Sequence, residues 1–397
     1  MPIYNINGNA VAFSEGGYIP NFVTVAAADS LEKDKLSADY VCDGVNDQIE
    51  IQNAIDSLTN GGTVWLANGT YNIDAFSAVN TDSLKVAIAV KQGTQREVVI
   101  RGSNFPIRKA GGNEPVQSAI LYVTSTAMNT LTGDETRVAV IGRDETTRDY
   151  PKYTLNVSNL AVWLADNQHP VICVDGKYYS AMFVENMMFF GSNQGANAPV
   201  GVIGCKAIRG LDGANFGAGY RISNCFAFGF GVAYELNGEH LIMEQCGMRF
   251  CDYGYRFGYD DTSGNLHDIT LINCCQEQSR HFPVFNTAYM LSAISILSFS
   301  CEHAESGTYA TVSRATGDCK GGIVEYTISS TANWQNKSFR FFESATGNGE
   351  RFTCKNLLDK EIGTTEELPA DPNPGNRFYD TTTGEQKMFT GTEWVTV

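Results

Sequence analysis

The sequence predicts an all-β solenoid built from coils of parallel strands, and three observations carry that expectation. A phrase with an amide residue at its centre recurs: "LNVSNLAVW", "MFVENMMFF", "RISNCFAFG", "IMEQCGMRF" and "TLINCCQEQ". Its anchors are Asn159, Asn186, Asn224, Gln245, Asn273 and, with a hydroxyl in place of the amide, Ser298. The intervals of 27, 38, 21, 28 and 25 residues suit one coil per repeat, with insertions bulging from its corners. Around every anchor the apolar residues alternate with period two: Leu155 and Val157, Met182 and Val184, Tyr220 and Ile222, Leu241 and Met243, Ile269 and Leu271, Ile294 and Ile296. The third observation is composition. Gly supplies 39 of 397 residues, and the apolar runs are short and rich in Val, Ile, Phe and Tyr, as in strands joined by tight turns.

The elements follow in chain order. Residues 1–37 match no coil and are expected to be an N-terminal attachment segment. The next stretch, "DGVNDQIEIQNAIDSLTNGG", changes period: Asp47 stands at a helix N-cap, and Ile51, Ile55 and Leu58 share one helical face up to a Gly-Gly stop. This short helix is expected to cap the open end of a solenoid spanning residues 38–360. In the coils the residue after each anchor forms a further inward column: Leu160, Met187, Cys225, Cys246, Cys274 and Phe299. Stacking puts equivalent residues of successive coils about 4.8 Å apart, close enough for corner amides to bond to one another. Residues 361–397 hold a Pro-rich linker, "ELPADPNPGN", and three short strand-like pieces parted by T-T-G-E and T-G-T turns, a small C-terminal β module.

Charge and cysteine content narrow the function. The net charge of −16, with no Lys or Arg run, disfavours nucleic acid and anionic membrane as partners. No apolar run reaches membrane-spanning length, and the N-terminus lacks the basic and apolar regions of a signal peptide, so folding in a cytoplasm is expected. The eleven cysteines lie in strand patterns without zinc-site spacing and are read as reduced, buried apolar groups; no metal or cofactor is expected.

The entry segment, "DGVNDQIEIQNAID" followed by "GGTVWLANGTYNI", resembles that of the pectate-lyase-like right-handed parallel β-helix superfamily, in particular of phage tailspikes and tail appendage proteins. The C-terminal pieces are similar to a small terminal motif of phage tail and fibre proteins. The resemblance implies a homotrimer on a virion tail, bound to other tail proteins through its N-terminus, that recognises a bacterial surface polysaccharide and often cleaves it. The pectate-lyase and polygalacturonase motifs are missing: "GYDD" with Asp260 and Asp261 stands without its N-T-D, G-H-G and R-I-K companions. Pectin chemistry therefore does not carry over.

Outward columns are where a polymer could lie. Four residues after the anchors the column reads Trp163, Phe190, Phe228, Arg249, Glu277 and Glu302. Aromatic faces stack on sugar rings, and carboxylates on adjacent coils about 5 Å apart suit retaining glycoside hydrolysis. Glu277 and Glu302 are the candidate catalytic pair, with Arg249 orienting and His303 (and His281) as proton carriers. A lyase would instead use Arg249 to neutralise a uronate. A second column, one residue before the anchors, carries Glu185 and Glu244 two coils apart, with Arg221 close by as a further binding or neutralising group. The expected function is thus a tailspike-like receptor-binding polysaccharide depolymerase; the alternative is a non-catalytic glycan-binding appendage. Solvated strand faces alone would also explain both columns.

Overall fold

The computed structural model describes residues 3–6, 9–12, 21–79, 81–90, 97–110, 114–143, 154–166, 169–177, 179, 181–192, 201–208, 219–237, 239–258, 266–279, 283–286, 290–303, 311–313, 318–330, 352–356, 362–369, 372 and 376–397. The chain is a right-handed parallel β-helix. Among the described residues its strands form one hydrogen-bonded set of 19, all parallel, and another of 9, parallel but for the pairing of Ser77–Val79 with Thr81–Ala89. The larger set is two faces of the solenoid joined at a corner.

One coil shows the plan. Thr154–Ser158 lies in the first sheet, Asn159 turns the chain, Leu160–Leu164 runs in the second, and Ile172–Asp175 in the third. The chain then returns to the first sheet at Ala181–Glu185, directly on Thr154–Ser158. The amide anchors are the corner residues: Asn159, Asn186, Asn224, Gln245, Asn273 and Ser298 all have φ between 52° and 58°. Short polar side chains tolerate this left-handed conformation better than most. The N–H of each of the first five anchors donates to the carbonyl just before the next anchor, as Asn224 does to Glu244 and Gln245 to Ile272. Among the described residues a side-chain link of the expected kind joins Asn186 Nδ2 to Asn159 Oδ1 at 2.9 Å.

The other two corners use the same device without an amide rule. Gly229, Phe250 and Gln278 turn the second sheet towards the third, and Gly219, His240, Asp268 and Ala293 turn the third back to the first, all at positive φ. His240 Nδ1 and Asp268 Oδ2 lie 3.1 Å apart on neighbouring coils.

The expected inward columns, including the thiols of Cys225, Cys246 and Cys274, are buried in a single core. From the third sheet, Tyr234 and Tyr255 stack at 5.4 Å. Their hydroxyls cross the core to the corner carbonyls, Tyr234 lying 2.9 Å from those of Cys225 and Gly247.

The capping helix runs Gln48–Ser57 and buries Ile51, Ala54 and Ile55 on the core. Asp47 stands at the expected N-cap but makes no side-chain cap bond. Its carboxylate instead accepts from the N–H of Gly44 (2.9 Å) and Asn72 (2.7 Å), tying the helix entry to the first coil. The ladder begins before the boundary expected at residue 38, since Phe22–Ala26 pairs in parallel with Gly62–Leu66 and a helix, Glu32–Ser37, lies against it. At the other end, Arg377–Asp380, Glu385–Phe389 and Trp394–Thr396 form the expected antiparallel module. Ile362–Gly363, from before the expected linker, joins it in parallel.

Candidate functional site

The outer column of the second sheet is built as the spacing predicts. Trp163 pairs with Phe190, Phe190 with Phe228, Phe228 with Arg249, Arg249 with Glu277 and Glu277 with Glu302, each on the next coil. A bulge after Glu277 then sets His303 opposite Ser279. The backbones of Glu302 and His303 are placed by this pairing; their side chains, and the whole of His281, Asp260 and Asp261, lie outside the described residues.

Exposure corrects the expected use of the aromatic half. Phe190 and Phe228 are each only 1% exposed and cannot stack on a sugar. They form a satellite apolar cluster with Ile120 and Ala161, with Trp163, Met188, Phe226 and Phe250 packed against it. The outer face of the second sheet is apolar at both outward positions of these coils, with Phe190 and Phe228 buried and Trp163, Met188 and Phe226 partly buried. Part of the cover is a hairpin inserted at the first corner of an earlier coil, Ile107–Arg108 paired with Pro115–Val116, whose Arg108 guanidinium stands 5.7 Å over the Phe228 ring. Trp163 remains half-buried and leans on Tyr122, ring centroids 4.7 Å apart.

The polar half is open. Arg249 and Glu277 are half-exposed neighbours on adjacent coils, with Nε to Oε2 at 3.7 Å. Arg249 Nε also donates to Gln278 Oε1 at 2.8 Å, and its guanidinium lies 4.7 Å over the Phe250 ring. Phe250 meets Phe228 edge-on at 5.3 Å. Phe250 holds φ 54°, where the preceding coil has Gly229, so a bulky side chain is kept in a conformation it seldom takes. Sequence reasoning passed over Phe250 and Arg108, because neither sits in the counted columns.

The second column is also in register, Ser158, Glu185, Ser223 and Glu244 on successive coils. Glu185 and Glu244 are therefore two coils apart, about 9.6 Å by strand spacing. Arg221, with its side chain 58% exposed, reaches Glu244 Oε2 at 3.5 Å. That is a solvated ion pair on an open strand face. The column continues backwards to Arg101 and Trp65, which the spacing argument did not reach. Arg101 stands 5.4 Å over the Trp65 ring.

Two further clusters came from the fold alone. Cys42, Asp47 and Glu50 bring one ligand atom each within 4.8 Å of one another. Burial, then the nearby acids, pushes the Cys42 thiol up, and burial raises Asp47 despite its two N–H donors. The Asp47 carboxylate of this cluster is the group that ties the cap to the first coil through backbone N–H donors. On the flank of the third sheet, Asp175, Lys206, Glu235 and Arg256 pair in register on successive coils with alternating sign. Arg137 caps this ladder through an ion pair to Asp175, Lys206 Nζ lies 3.0 Å from Glu235 Oε1, and Arg256 pairs with Glu235 Oε2.

The fold and its outer columns define the class of protein, a parallel β-helix with a continuous lateral face. No family model matches the chain, and no curated protein matches it. Among solved structures, tailspike protein 3 of bacteriophage CBA120 aligns over 88% of this chain and 66% of its own, with 14% identity and a TM-score of 0.21. This chain thus spans just under two thirds of that protein's length. No helix among the described residues is long and apolar enough to cross a membrane.

Proposed function

We propose that the protein is a tailspike-like receptor-binding protein that holds a bacterial surface polysaccharide on the outer face of its second sheet and cleaves it at the polar end of that face. The observation that carries this is the register of Arg249, Glu277 and Glu302 on three adjacent coils, next to a corner where aromatic rings and guanidiniums alternate. Backbones one coil apart, about 4.8 Å, allow two carboxylates to reach the separation at which one acts as acid and the other as nucleophile. Glu277 and Glu302 take those roles and Arg249 orients the sugar, while Trp163 offers the stacking surface that Phe190 and Phe228 do not. Assembly as a homotrimer on a virion tail, with the N-terminal end joined to other tail proteins, is part of the same proposal.

Cleavage is tested by incubating the protein with surface polysaccharides from a panel of host bacteria and following chain length and unsaturated-uronate absorbance. Glu277→Gln and Glu302→Gln are each expected to slow shortening by about 100-fold or more. Absorbance at the uronate wavelength would assign a lyase, and its absence a hydrolase; shortening at the wild-type rate in both variants would overturn the catalytic assignment. One observation favours a second reading, a glycan-binding appendage without catalysis: Glu277 is already paired with Arg249. Binding without any loss of chain length would establish it.

A further inference from the structure

We propose that this face selects an anionic polysaccharide, one whose repeat carries a carboxylate, and that Arg108 recognises the acid group. The proposal rests on the glycan-binding reading above and names its substrate class.

The first observation is a cation that is unpaired among the described residues of an acidic chain. Lys and Arg number 28 against 44 Asp and Glu, so a guanidinium on this surface has many carboxylates to choose from. The neighbouring Lys109 takes one, Glu114, at 3.1 Å. Arg108 is exposed and meets neither a carboxylate nor a hydrogen-bond acceptor among the described residues; its guanidinium rests on the Phe228 ring. Stacking on that ring holds the guanidinium in place without engaging its N–H donors, which leaves the planar fork free for a bidentate acceptor.

The second observation is position. Arg108 over Phe228, Phe228 against Phe250 and Phe250 under Arg249 make a continuous chain of two cations and two rings. Along the column Phe228, the residue under Arg108, is one coil before Arg249 and two before Glu277, about 10 Å by strand spacing along the backbone. Arg101, over Trp65 and likewise without a carboxylate among the described residues, puts a second guanidinium at the base of the same insertion. A neutral glycan offers Arg108 only uncharged acceptors. A carboxylate gains a charge-assisted pair of hydrogen bonds from Arg108.

The test uses uronate-bearing surface polysaccharides from the host panel and the same polymers after chemical reduction of their carboxyl groups, titrated against the full chain at low and high salt. The native polymer is expected to bind about tenfold tighter than its reduced form at low salt, with the difference shrinking at high salt. Arg108→Gln keeps the stem over Phe228 and is expected to erase that difference while binding the reduced polymer as wild type does, which also reports an intact fold. Lys109→Gln, which removes a charge of the same sign next door, should change affinity by no more than about twofold. Equal affinity for native and reduced polymer, or a preference that survives in Arg108→Gln, overturns the proposal. If neutral polysaccharides alone bind, the substrate class falls and the glycan-binding function stands; if no polysaccharide binds, both fall.

Discussion

Asn224 has φ 52° and a side chain short enough to accept it, and its N–H donates to the carbonyl of Glu244 on the next coil. A β-branched side chain at that position meets its own backbone, at about 1–2 kcal/mol. Asn224→Val is therefore expected to lower the urea midpoint by about that amount of stability, while Asn224→Gly, which pays no steric cost, stays within about 1 kcal/mol of wild type. Equal losses in the two variants would place the role of the residue in its amide and not in its backbone. This corner was legible in the sequence because Asn and Gln recur there with apolar residues at fixed offsets. The corner at Gly229, Phe250 and Gln278 was not, since three unrelated side chains share one backbone conformation and nothing in their types announces it.

The third sheet shows what an element adds to its residues. Asp175 is fully buried, and burial alone would raise its carboxyl. The charges of Arg137 and Lys206 and the N–H of Lys177 outweigh that and hold it below the ordinary value of 3.8. A carboxylate depressed in the folded state adds stability above its unfolded value of about 3.9 and loses it as pH falls through the folded value. Stability measured by urea is thus expected to hold between about pH 7 and pH 5 and to fall steeply below about pH 4. Asp175→Asn, which removes the buried carboxylate that Arg137 pairs with, should cost about 3–5 kcal/mol at neutral pH and flatten the acid limb. An unchanged acid limb would show that other carboxylates set it. The strands "ICVD", "IGCK", "VAYE" and "YGYR" carry this ladder in plain sight, one charge ending each. It escaped the sequence argument because the signs alternate, the intervals of 31, 29 and 21 residues vary, and a search for apolar periodicity discards charges. The same bias explains the overreach at Phe190 and Phe228: period two fixes that they face outward, but whether an outer face meets water depends on the insertion folded over it.

At the scale of the whole molecule, each coil contacts only its neighbours, so the stack is as secure as the cover on its first coil. Ile51, Ala54 and Ile55 of the capping helix share one core with Val25, Val64 and Tyr71 of the opening strands, whereas Ile49 on the same helix is 52% exposed. The helix thus presents one apolar side to the coil and leaves the other in water, which is the arrangement its period of 3.6 foretold. Ile55→Asp places an unpaired charge in that core and is expected to remove at least about 3–5 kcal/mol, opening the first coils and exposing strand edges that associate. Ile49→Asp should stay within about 0.5 kcal/mol. Urea unfolding followed by tryptophan emission separates the cases, because Trp65 lies in an opening coil and Trp163 deeper in the stack. If Ile55→Asp shifts the whole transition as one, the coils unfold together and the cap governs the global stability. A separate early phase confined to Trp65 would instead show that the ladder frays from its capped end while the face bearing Arg249 and Glu277 stays folded.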